Sequence, residues 1–529
     1  MILFKKLANL QEEILSMKLF SNQQFYKADA ITIENQKMQS VDLMEHAATL
    51  CFNWLHEKLE GAQVPIHVFC GIGNNGGDGL VMARLLLIHG YHVNVYITNF
   101  TDKRSPDFLI NYNLIKEVSS EWPILMTSEE DFPKLNTEDI IIDALFGIGL
   151  NRAPKGWVKQ LIQHLNNSEA FILAIDIPSG LYSNKAIEDT EAIIKADHSL
   201  TFQAPKLAFF LPETAVFCLS FDVLDIGLDQ EYLNSEDPIA TLFDKYDAQE
   251  LYRPRSKFDH KGTYGHCLIV GGSYGKIGAT YLACKAALKI GAGMVTAFVP
   301  KCGYSILQSS LPEAMVITDS SNEYIESIAI NFAPSAIGIG MGMSTNKKTV
   351  STFKEFLLNT KSPLVIDADA LNCISENNEL LKSIPKDSIL TPHPGELKRL
   401  IGDWEDDYQK MEMAKFFSEK HQVILLIKGA NTLIINNGDV YINTTGNPGM
   451  ATAGCGDVLA GILTGLLSQG YLPLEAALFG VYLHGDAGDI ASKDHGFEAI
   501  LASDIIDAIS TAYLNIFLEE TKEDNKSNA

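Results

Sequence analysis

Ile66–Gly79 reads IHVFCGIGNNGGDG, a short run of mostly apolar residues that leads directly into a loop rich in glycine. An apolar run of this length is typical of a parallel strand that is covered on both faces of its sheet. Glycine allows the sharp turn from such a strand into a helix. The stretch therefore predicts an α/β fold, in which ligands bind at the carboxyl ends of the strands.

The first half of the chain repeats this alternation of strands and helices. Further strands are predicted at residues 92–97, 139–143 and 171–176, and helices near residues 23–60, 79–89 and 155–166. Three of the loops that follow strands carry polar and charged side chains, at residues 71–79, 143–153 and 176–180. We expect the ligands of the first half to bind at these loops.

The second half is predicted to be a separate α/β domain. Residues 229–260 are crowded with Asp, Glu, Tyr, Pro and Lys and lack periodicity, so we predict a linker there. The alternation then restarts, with strands at residues 267–270, 294–299, 336–340, 364–367 and 423–427 and a helix near 278–290. The predicted organisation is an extension at residues 1–16, a first domain at 17–240 and a second domain at 241–522.

Composition and charge exclude several classes of protein. The chain has 529 residues, of which 46% are hydrophobic and 20% are charged, as expected for a globular protein of more than one domain. Its net charge of −25 argues against nucleic acid as a partner, because phosphate backbones are bound by clustered Lys and Arg. The sequence has no apolar run of membrane-spanning length, and its scattered cysteines are typical of a reducing compartment. We therefore expect no membrane partner, a cytoplasmic location and a homo-oligomer.

Gly454-Cys455-Gly456-Asp457 is the second informative stretch, because it precedes an apolar helical run that begins at Val458. A glycine turn at a helix start presents unpaired backbone N–H groups, and the helix dipole favours negative charge there. An aspartate beside this anion site is able to accept a proton from a hydroxyl group, as phosphoryl transfer requires. The local sequence is equally compatible with a plain helix start that Asp457 caps.

The loop Gly71–Gly79 has several interpretations. Gly71, Gly73 and Gly76 match the G-x-G-x-x-G spacing of a dinucleotide-binding loop, although its paired asparagines are unusual for that class. A second interpretation is a loop whose backbone amides bind phosphate and whose Asn or Asp oxygens bind a hard cation. A turn with a purely structural role is the third.

Several motifs together resemble the NAD(P)H-hydrate repair enzymes. Gly73–Gly79, Asp143–Leu150 and Asp176–Gly180 are similar to the signatures of the family's N-terminal domain. The second half is similar to the family's ADP-dependent dehydratase domain at Gly291–Gly293, Thr391–Glu396, Lys428–Ala430 and Asn447–Asp457. The resemblance covers nearly the whole chain from about Met17 to residue 515. It implies a Rossmann-like parallel-sheet domain followed by a ribokinase-like α/β domain.

The resemblance also implies two reactions on hydrated NAD(P)H, called NAD(P)HX, in which water has added across a double bond of the dihydronicotinamide ring. The first domain would be an epimerase that interconverts the R and S hydrates. The second domain would dehydrate the S hydrate with ADP as co-substrate, giving AMP and phosphate. K⁺ is the implied ion of the first domain and Mg²⁺ that of the second.

In the first domain, the resemblance assigns substrate contacts to two loops and one strand end. These residues are Asn74, Asn75, Gly76, Gly77, Asp78, Gly147, Ile148, Gly149, Leu150, Asn151, Arg152, Ala153 and Asp176. Asp176 is also the candidate for proton handling, and Asn75, Asp143 and Ser179 are implied ligands of K⁺. Asp143 and Asp176 each end an apolar strand, where an unpaired carboxylate is costly, and this favours a functional role over helix capping.

In the second domain, Asp457 is expected to be the catalytic base beside the amides of Gly454–Gly456. The resemblance assigns the hydrate pocket to Ala279, Gly342, His393 and Asp457, and the nucleotide site to Lys428, Gly429, Ala430, Asn431, Thr432 and Gly456. Asp367 and Asp369 are candidates either for Mg²⁺ or for a capping role.

Two other functions remain compatible with the sequence. The Gly454–Asp457 turn is shared with vitamin and sugar kinases, although the Asn74–Asp78 loop is not. Alternatively, the first half binds a nucleotide as a regulatory module without catalysis. Exchange of the R and S hydrates by the first half would separate this second possibility from an epimerase.

Overall fold

The computed structural model describes residues 17–119 and 121–518 of the chain. Within these ranges the chain forms two compact units, one made mostly of Lys18–Ile239 and one made mostly of the residues from Ala240 onward. The extension predicted at residues 1–16 lies outside the described residues, as do the last residues of the predicted second domain. None of the described helices combines the length and apolarity that a membrane span requires.

The first unit is a parallel sheet with helices between its strands. The strands of this sheet are β2 Ile66–Cys70, β3 Val93–Thr98, β4 Ile124–Met126, β5 Ile140–Ala144, β6 Phe171–Ile175, β7 His198–Phe202 and β8 Phe221–Leu224. The short strand β1 Lys18–Leu19 precedes them in the chain and is not part of this sheet. Its helices are α1 Asn22–Gln36, α2 Ser40–Leu59, α3 Asn74–Ile88, α4 Pro106–Val118, α5 Trp157–Asn166, α6 Pro212–Ala215 and α7 Gln230–Ser235.

The seven strands β2–β8 follow the order β4-β3-β2-β5-β6-β7-β8, and every neighbouring pair is parallel. The central strand β2 is buried along its whole length, which accounts for its apolar sequence. Because all seven strands point the same way, the loops after β2, β5 and β6 meet at one edge of the sheet.

Two predicted helices of the first unit differ from those observed. The helix predicted near 79–89 begins earlier, at Asn74, because Gly73 is its extended N-cap and the glycine loop forms its first turn. The helix predicted across 23–60 is two helices, since Lys37 takes a left-handed conformation with φ of 55° and ends α1. Periodicity alone does not reveal this break, because apolar residues continue on both sides of it.

The second unit is built around a mixed sheet. Its strands are β9 Ala240–Phe243, β10 His266–Val270, β11 Met294–Val299, β12 Met315–Thr318, β13 Ala336–Ile339, β14 Leu364–Ile366, β15 Ile389–Leu390, β16 Ile424–Ile427, β17 Thr432–Asn436 and β18 Asp439–Asn443. Its helices are α8 Lys245–Leu251, α9 Ile277–Lys289, α10 Tyr304–Ser310, α11 Lys347–Asn359, α12 Ala368–Glu376, α13 Pro394–Ile401, α14 Asp407–His421, α15 Cys455–Ser468, α16 Pro473–His495 and α17 Ala502–Asn515.

These strands follow the order β9-β18-β17-β16-β15-β14-β13-β10-β11-β12. The strands β10–β16 pair in parallel, whereas the hairpin β17–β18 is antiparallel and β17 also runs antiparallel to β16. The parallel arrangement places the ends of β13, β14 and β16 at one edge, and α15 packs against this region of the sheet.

The two units divide between Ile239 and Ala240, inside the linker predicted at residues 229–260, but this stretch contains regular structure. This stretch contains α7, β9 and α8, and Ala240 and Phe243 of β9 are buried. The Asp244 carboxylate accepts hydrogen bonds from the backbone N–H groups of Tyr246 and Asp247 and so caps α8. Each element is too short for its periodicity to stand out from the surrounding polar residues.

The helices α9 and α15 approach each other so closely that glycine is required between them. A Cβ atom on Gly461 would lie 2.2 Å from the carbonyl oxygen of Ala283, whereas one on Gly278 would meet nothing within 4 Å. We expect Gly461→Ala to destabilise the protein by about 1–3 kcal/mol, as overpacked cores do. Gly278→Ala is the matched control and is expected to be neutral or stabilising by up to about 1 kcal/mol, because alanine favours a helix.

The thermal unfolding midpoints of the two variants test this packing. The midpoint of Gly461→Ala should fall below that of the wild type, and that of Gly278→Ala should not. Equal midpoints for the two variants would show that α9 and α15 are not in this contact.

Candidate active sites

The glycine loop of the first unit brings two strand ends together. A Cβ atom on Gly71 would lie 1.9 Å from the carbonyl oxygen of Leu145, so only glycine allows the loops after β2 and β5 to touch. Gly73 has open space at its Cβ position and stands at the start of α3. The first backbone N–H groups of α3 thus lack partners within the helix and are available to an anion.

A cavity of about 1030 Å³ lies against this helix start. Most of the predicted substrate-contacting residues line it: Asn74, Asn75, Asp78, Gly147, Ile148, Gly149, Leu150, Asn151, Arg152, Ala153 and Asp176. Gly76 and Gly77 do not. Their missing side chains instead allow close packing, because a Cβ atom would lie 1.9 Å from the Gly71 carbonyl oxygen or 2.6 Å from the Met44 sulphur atom, respectively.

The predicted K⁺ ligands Asp143 and Ser179 lie together below the loops. The buried Asp143 carboxylate accepts hydrogen bonds from the Ser179 backbone N–H at 2.7 Å and hydroxyl at 2.6 Å. The Ser179 Oγ atom is also 3.1 Å from the Phe146 carbonyl oxygen. Burial raises the pKa of Asp143 to about 6, although its hydrogen bonds act in the opposite direction.

This oxygen cluster suits a hard monovalent cation. Carboxylate, hydroxyl and carbonyl oxygens converge there, and the side chain of Asn75 is buried beside Gly147. The Asn75 Nδ2 atom has no hydrogen-bond partner among the described residues. Because an Asn amide can be rotated to exchange its oxygen and nitrogen, this unpartnered end is able to present Oδ1 to a cation.

Asp176 lies at the end of β6 in a strained conformation and is paired with a buried lysine. Its φ of 68° is in the left-handed region, which residues with a Cβ atom rarely adopt outside special sites. The Lys206 Nζ atom is 3.1 Å from Asp176 Oδ1 and donates hydrogen bonds to Thr201 Oγ1, the Phe202 carbonyl and the Ala204 carbonyl. These acceptors fix the lysine ammonium and, through it, the carboxylate.

Asp29 and Lys206 also line the cavity, and sequence reasoning did not identify them. Burial raises the pKa of Asp29 to about 6, and the nearby charge of Asp176 adds to this effect. Burial and the charges of Asp176 and Asp29 raise the pKa of Asp78 well above its ordinary value. Asp29, Asp78, Asp176 and Lys206 thus bring three carboxyl groups and one ammonium group into the lining of the same cavity.

The second candidate site is at the start of α15, where the sequence predicted an anion site. Gly454 is the N-cap of α15 and has φ of 90°, a conformation that glycine adopts without strain. A Cβ atom on Gly456 would lie 3.3 Å from Lys428 Nζ and 3.8 Å from Asp367 Oδ2. Glycine at this position therefore leaves backbone N–H groups and a lysine ammonium facing the same space.

An ion pair between Lys428 and Asp367 lies near the predicted base, Asp457. The Lys428 Nζ atom is 2.9 Å from Asp367 Oδ1, and the same oxygen accepts a hydrogen bond from Thr391 Oγ1 at 2.7 Å. Burial and the charge of Asp367 raise the pKa of Asp457 to about 7, although the charge of Lys428 acts in the opposite direction. The carboxyl group of Asp457 thus titrates close to neutral pH, where a general base works best.

Burial acts to lower the pKa of Lys428, but the attraction of Asp367 outweighs it and holds the pKa above its ordinary value. The lysine therefore remains a cation beside the helix start. It lies at the end of β16, and the predicted nucleotide-binding residues Gly429, Ala430, Asn431 and Thr432 follow it into β17. Gly429 and Ala430 are exposed, as residues that contact a ligand from solvent must be.

The structure brings only some of the predicted hydrate-pocket residues into contact. A Cβ atom on Gly342 would lie 3.2 Å from the Cβ atom of Ala279, so these two residues are neighbours. His393 is more exposed, and its Nδ1 atom accepts a hydrogen bond from the Gly395 backbone N–H to cap α13. His393 Nε2 is also 3.5 Å from Glu396 Oε1, so a capping role accounts for this residue without a ligand.

The acidic pair Asp367 and Asp369 has protein partners. Asp369 Oδ2 accepts a hydrogen bond from the Ser344 backbone N–H at 2.8 Å and is 3.4 Å from Lys276 Nζ. Among the described residues, no group of three or more His, Cys, Asp or Glu side chains is arranged to hold a metal ion. The two carboxylates at this site are therefore already paired with protein groups. A metal ion bound here would take most of its ligands from groups other than these carboxylates.

Comparisons with known proteins find matches in both halves of the chain. A family model described as NAD(P)H-hydrate dehydratase matches residues 267–511, and one described as YjeF-related protein N-terminus matches residues 40–208. A bifunctional NAD(P)H-hydrate repair enzyme of Moorella thermoacetica is 35% identical over 96% of this chain and 98% of its own length. The corresponding protein of Coxiella burnetii is 34% identical over 92% of this chain and 97% of its own length.

One similar solved structure is the ADP/ATP-dependent NAD(P)H-hydrate dehydratase of Bacillus subtilis, co-crystallised with ATP and Mg²⁺. It is 28% identical in sequence, the match covers 52% of this chain and 98% of the Bacillus chain, and the TM-score is 0.46. The predicted α/β fold is confirmed, with a parallel Rossmann-like sheet in the first unit and a mixed sheet in the second. The relatives match nearly the whole length of the chain at more than 30% identity. The chain therefore belongs to the family of bifunctional NAD(P)H-hydrate repair enzymes.

Proposed function

We propose that the chain restores hydrated NAD(P)H through two sites, an epimerase in residues 17–240 and an ADP-dependent dehydratase in residues 241–522. The observation that carries this proposal is the group formed by Lys428, Asp457 and the start of α15. It combines a cation, a carboxyl group with a pKa near 7 and unpaired backbone N–H groups. These are the parts that a phosphoryl transfer from ADP to a hydroxyl group needs.

In the proposed dehydration, the ionised Asp457 accepts the proton of the hydrate hydroxyl as its oxygen bonds to the β-phosphorus of ADP. AMP leaves, and the N–H groups of Gly454–Gly456 with Lys428 stabilise the charge on the phosphoryl oxygens. Electrons of the ring nitrogen then expel inorganic phosphate, which is a far better leaving group than hydroxide. Loss of a proton from the neighbouring ring carbon restores the double bond of NAD(P)H.

Mg²⁺ is part of this proposal as the ion that neutralises the phosphate oxygens of ADP. Mg²⁺ in such sites is bound through one or two carboxylates together with phosphate oxygens and water, so a full cage of protein ligands is not required. The residue best placed to contribute is Asp367, whose Oδ2 atom faces the space beside Gly456. Asp369 is already bonded to Ser344 and Lys276 and is a weaker candidate.

In the proposed epimerase site, the substrate occupies the 1030 Å³ cavity with its phosphates against the first turn of α3. Asn75, Asp143 and Ser179 would hold K⁺, which would supply positive charge to the site. Asp176 contacts the substrate ring and takes part in proton transfer. Support comes from the oxygen cluster at Asp143 and from the strained, lysine-paired geometry of Asp176.

Three further parts of the proposal come from the sequence: the location of the protein, its oligomeric state and the residues of the hydrate pocket. A cytoplasmic location fits its eight free cysteines, most of them buried. A homo-oligomer is expected, and sedimentation of the purified protein would give its size. The roles of Ala279, Gly342 and His393 in the hydrate pocket stay predictions.

The purified protein should convert the S hydrate to NAD(P)H only when ADP, or less effectively ATP, is present with a divalent cation. The reason is that the proposed dehydration expels phosphate rather than hydroxide, so the nucleotide must first phosphorylate the hydroxyl group. Absorbance of the reduced nicotinamide measures the product, and reactions without nucleotide or with EDTA are the controls. Dehydration at full rate without any nucleotide would contradict the mechanism.

A further inference from the structure

Asp29 is a carboxyl group of the epimerase cavity to which the mechanism above gives no role. It lies on α1 and lines the cavity together with Asp78, Asp176 and Lys206. Its side chain is partly exposed, and no hydrogen bond reaches its carboxyl oxygens from residues 17–119 or 121–518. A carboxyl group that faces a ligand cavity without a protein partner is available to bond with the ligand.

Asp29 and Asp176 line the same cavity, but only Asp176 forms an ion pair among the described residues. Asp176 is paired with the Lys206 ammonium at 3.1 Å. Asp29 has no ion-pair partner within 4 Å among the described residues. Burial and the charge of Asp176 raise its pKa to about 6, although the more distant charge of Lys206 acts in the opposite direction. Two carboxyl groups in one site with environments of this kind are the usual arrangement of a general acid and a general base.

We propose that Asp29 is a further catalytic residue of the epimerase, acting as the general acid on the substrate hydroxyl while the Lys206-paired Asp176 acts as the base. The assignment rests on the epimerase activity proposed above. In one direction of the epimerisation Asp29 is the acid and Asp176 is the base. In the reverse direction the two residues exchange these roles.

The proposed step conserves atoms and electrons. The bond between the ring carbon and its hydroxyl oxygen breaks, the electron pair of the adjacent ring nitrogen forms a carbon–nitrogen double bond, and Asp29 gives its proton to the departing oxygen, which leaves as water. Water then adds to the opposite face of the carbon, its proton passes to Asp176, and the electron pair returns to the nitrogen. Transfer of that proton back to Asp29 through water restores the site.

Asp78 is less suitable as the acid. It is only 8% exposed in the first turn of α3, and burial raises its pKa well above its ordinary value. An acid that gives and regains a proton in each turnover works best with a pKa near the working pH. Asp29 meets this condition.

The test measures exchange of the R and S hydrates by the full-length protein, with the spontaneous rate subtracted. Asp29→Asn should lose about 100-fold or more of the exchange rate, as general acid–base variants do. Asp29→Glu should recover at least tenfold of that loss. Glu34→Gln is the matched control, because Glu34 is an exposed carboxyl group on the same helix, and it should exchange epimers at the wild-type rate.

The pH profile provides a readout that a structural role would not change. The acid acts while protonated, so wild-type exchange should fall about tenfold per pH unit above roughly pH 6, and Asp29→Asn should lack this decline. The groups that face Asp29 are Tyr26, Asp78, Asp176 and Lys206. All of them are retained in the variant, so a decline that persists there belongs to one of them.

Circular dichroism shows whether each variant is folded, and dehydration of the pure S hydrate by the same preparation shows that the second site works. Exchange by Asp29→Asn within threefold of the wild type, or a wild-type profile without the decline, overturns the role of Asp29 and leaves the epimerase activity standing. If the wild type itself exchanges no epimers, both proposals fail together. If Asp29→Asn does not fold, Asp29→Glu and the wild-type profile decide the matter.

Discussion

Asp457→Asn should reduce dehydration of the S hydrate by about 100- to 10,000-fold, which is the typical cost of losing a general base. The amide keeps the size of the side chain but cannot accept the proton of the hydroxyl group. Nucleotide binding should be retained, because Lys428 and the backbone N–H groups of α15 are unchanged. Dehydration is followed by absorbance at saturating ADP, and ADP binding by calorimetry.

The pH dependence of the wild type follows from the same carboxyl group. Its pKa of about 7 means that the base is ionised only above neutral pH, so the dehydration rate should fall about tenfold per pH unit below that value. Near-normal turnover by Asp457→Asn, or a rate that is flat from pH 5 to pH 8, would show that another group removes the proton.

Stability should change in the opposite direction to activity. The pKa of Asp457 is higher in the folded protein than in the unfolded chain, so the folded state binds the proton more tightly. The stability that this carboxyl group contributes is therefore present below its unfolded pKa and is lost as the pH rises towards about 7. Asp457→Asn removes that loss, so its thermal midpoint at pH 8 should equal or exceed that of the wild type.

Asp143→Ala should abolish R-to-S exchange and its dependence on K⁺ while sparing dehydration of the pure S hydrate. The substitution removes the carboxylate on which the Ser179 hydroxyl and backbone N–H converge. On a mixture of epimers, this variant should stop when the S hydrate is consumed, apart from slow spontaneous exchange. Chiral separation of the residual hydrate measures the result.

The alanine variant leaves buried donors of Ser179 and Leu145 without an acceptor, at a cost of about 1–3 kcal/mol each. Asp143→Asn is the milder companion, since it keeps one acceptor oxygen in place. Circular dichroism shows whether both variants fold. Loss of dehydration in a folded Asp143 variant would mean that the two reactions share one site.

Much of the sheet in each unit could be predicted from the sequence. The strands expected at 66–70, 139–143 and 171–176 agree to within one residue with Ile66–Cys70, Ile140–Ala144 and Phe171–Ile175. These strands are buried on both faces, so their sequences are continuously apolar and stand out. The glycine turns before α3 and α15 were also recognised, because a close approach of backbone leaves few alternatives to glycine.

The hairpin β17–β18 was missed although the sequence contains a signal for it. Asn437 and Gly438 both have positive φ, at 49° and 89°, as a tight two-residue turn between antiparallel strands requires. An Asn-Gly pair between alternating apolar residues predicts such a turn. The hairpin does not appear as a continuous apolar run in the sequence, because β18 is only partly buried.

Asp29 and Lys206 could not be found in the same way. They join Asp176 only through the tertiary fold, since Asp29 lies on α1 and Lys206 follows β7. A single acid in a helix such as α1 resembles a solvated residue, and a single lysine after a strand carries no spacing that marks a site. Their importance lies in the cavity they share, which the sequence does not describe.

The most direct test of two independent sites in one chain is complementation between the two inactive variants. Neither Asp143→Ala nor Asp457→Asn should convert a mixture of R and S hydrates completely in the presence of ADP. Mixed together, the two proteins should convert all of it to NAD(P)H, because Asp457→Asn supplies the S hydrate that Asp143→Ala dehydrates. A mixture that stops at the initial S fraction, with both proteins folded, would contradict the account.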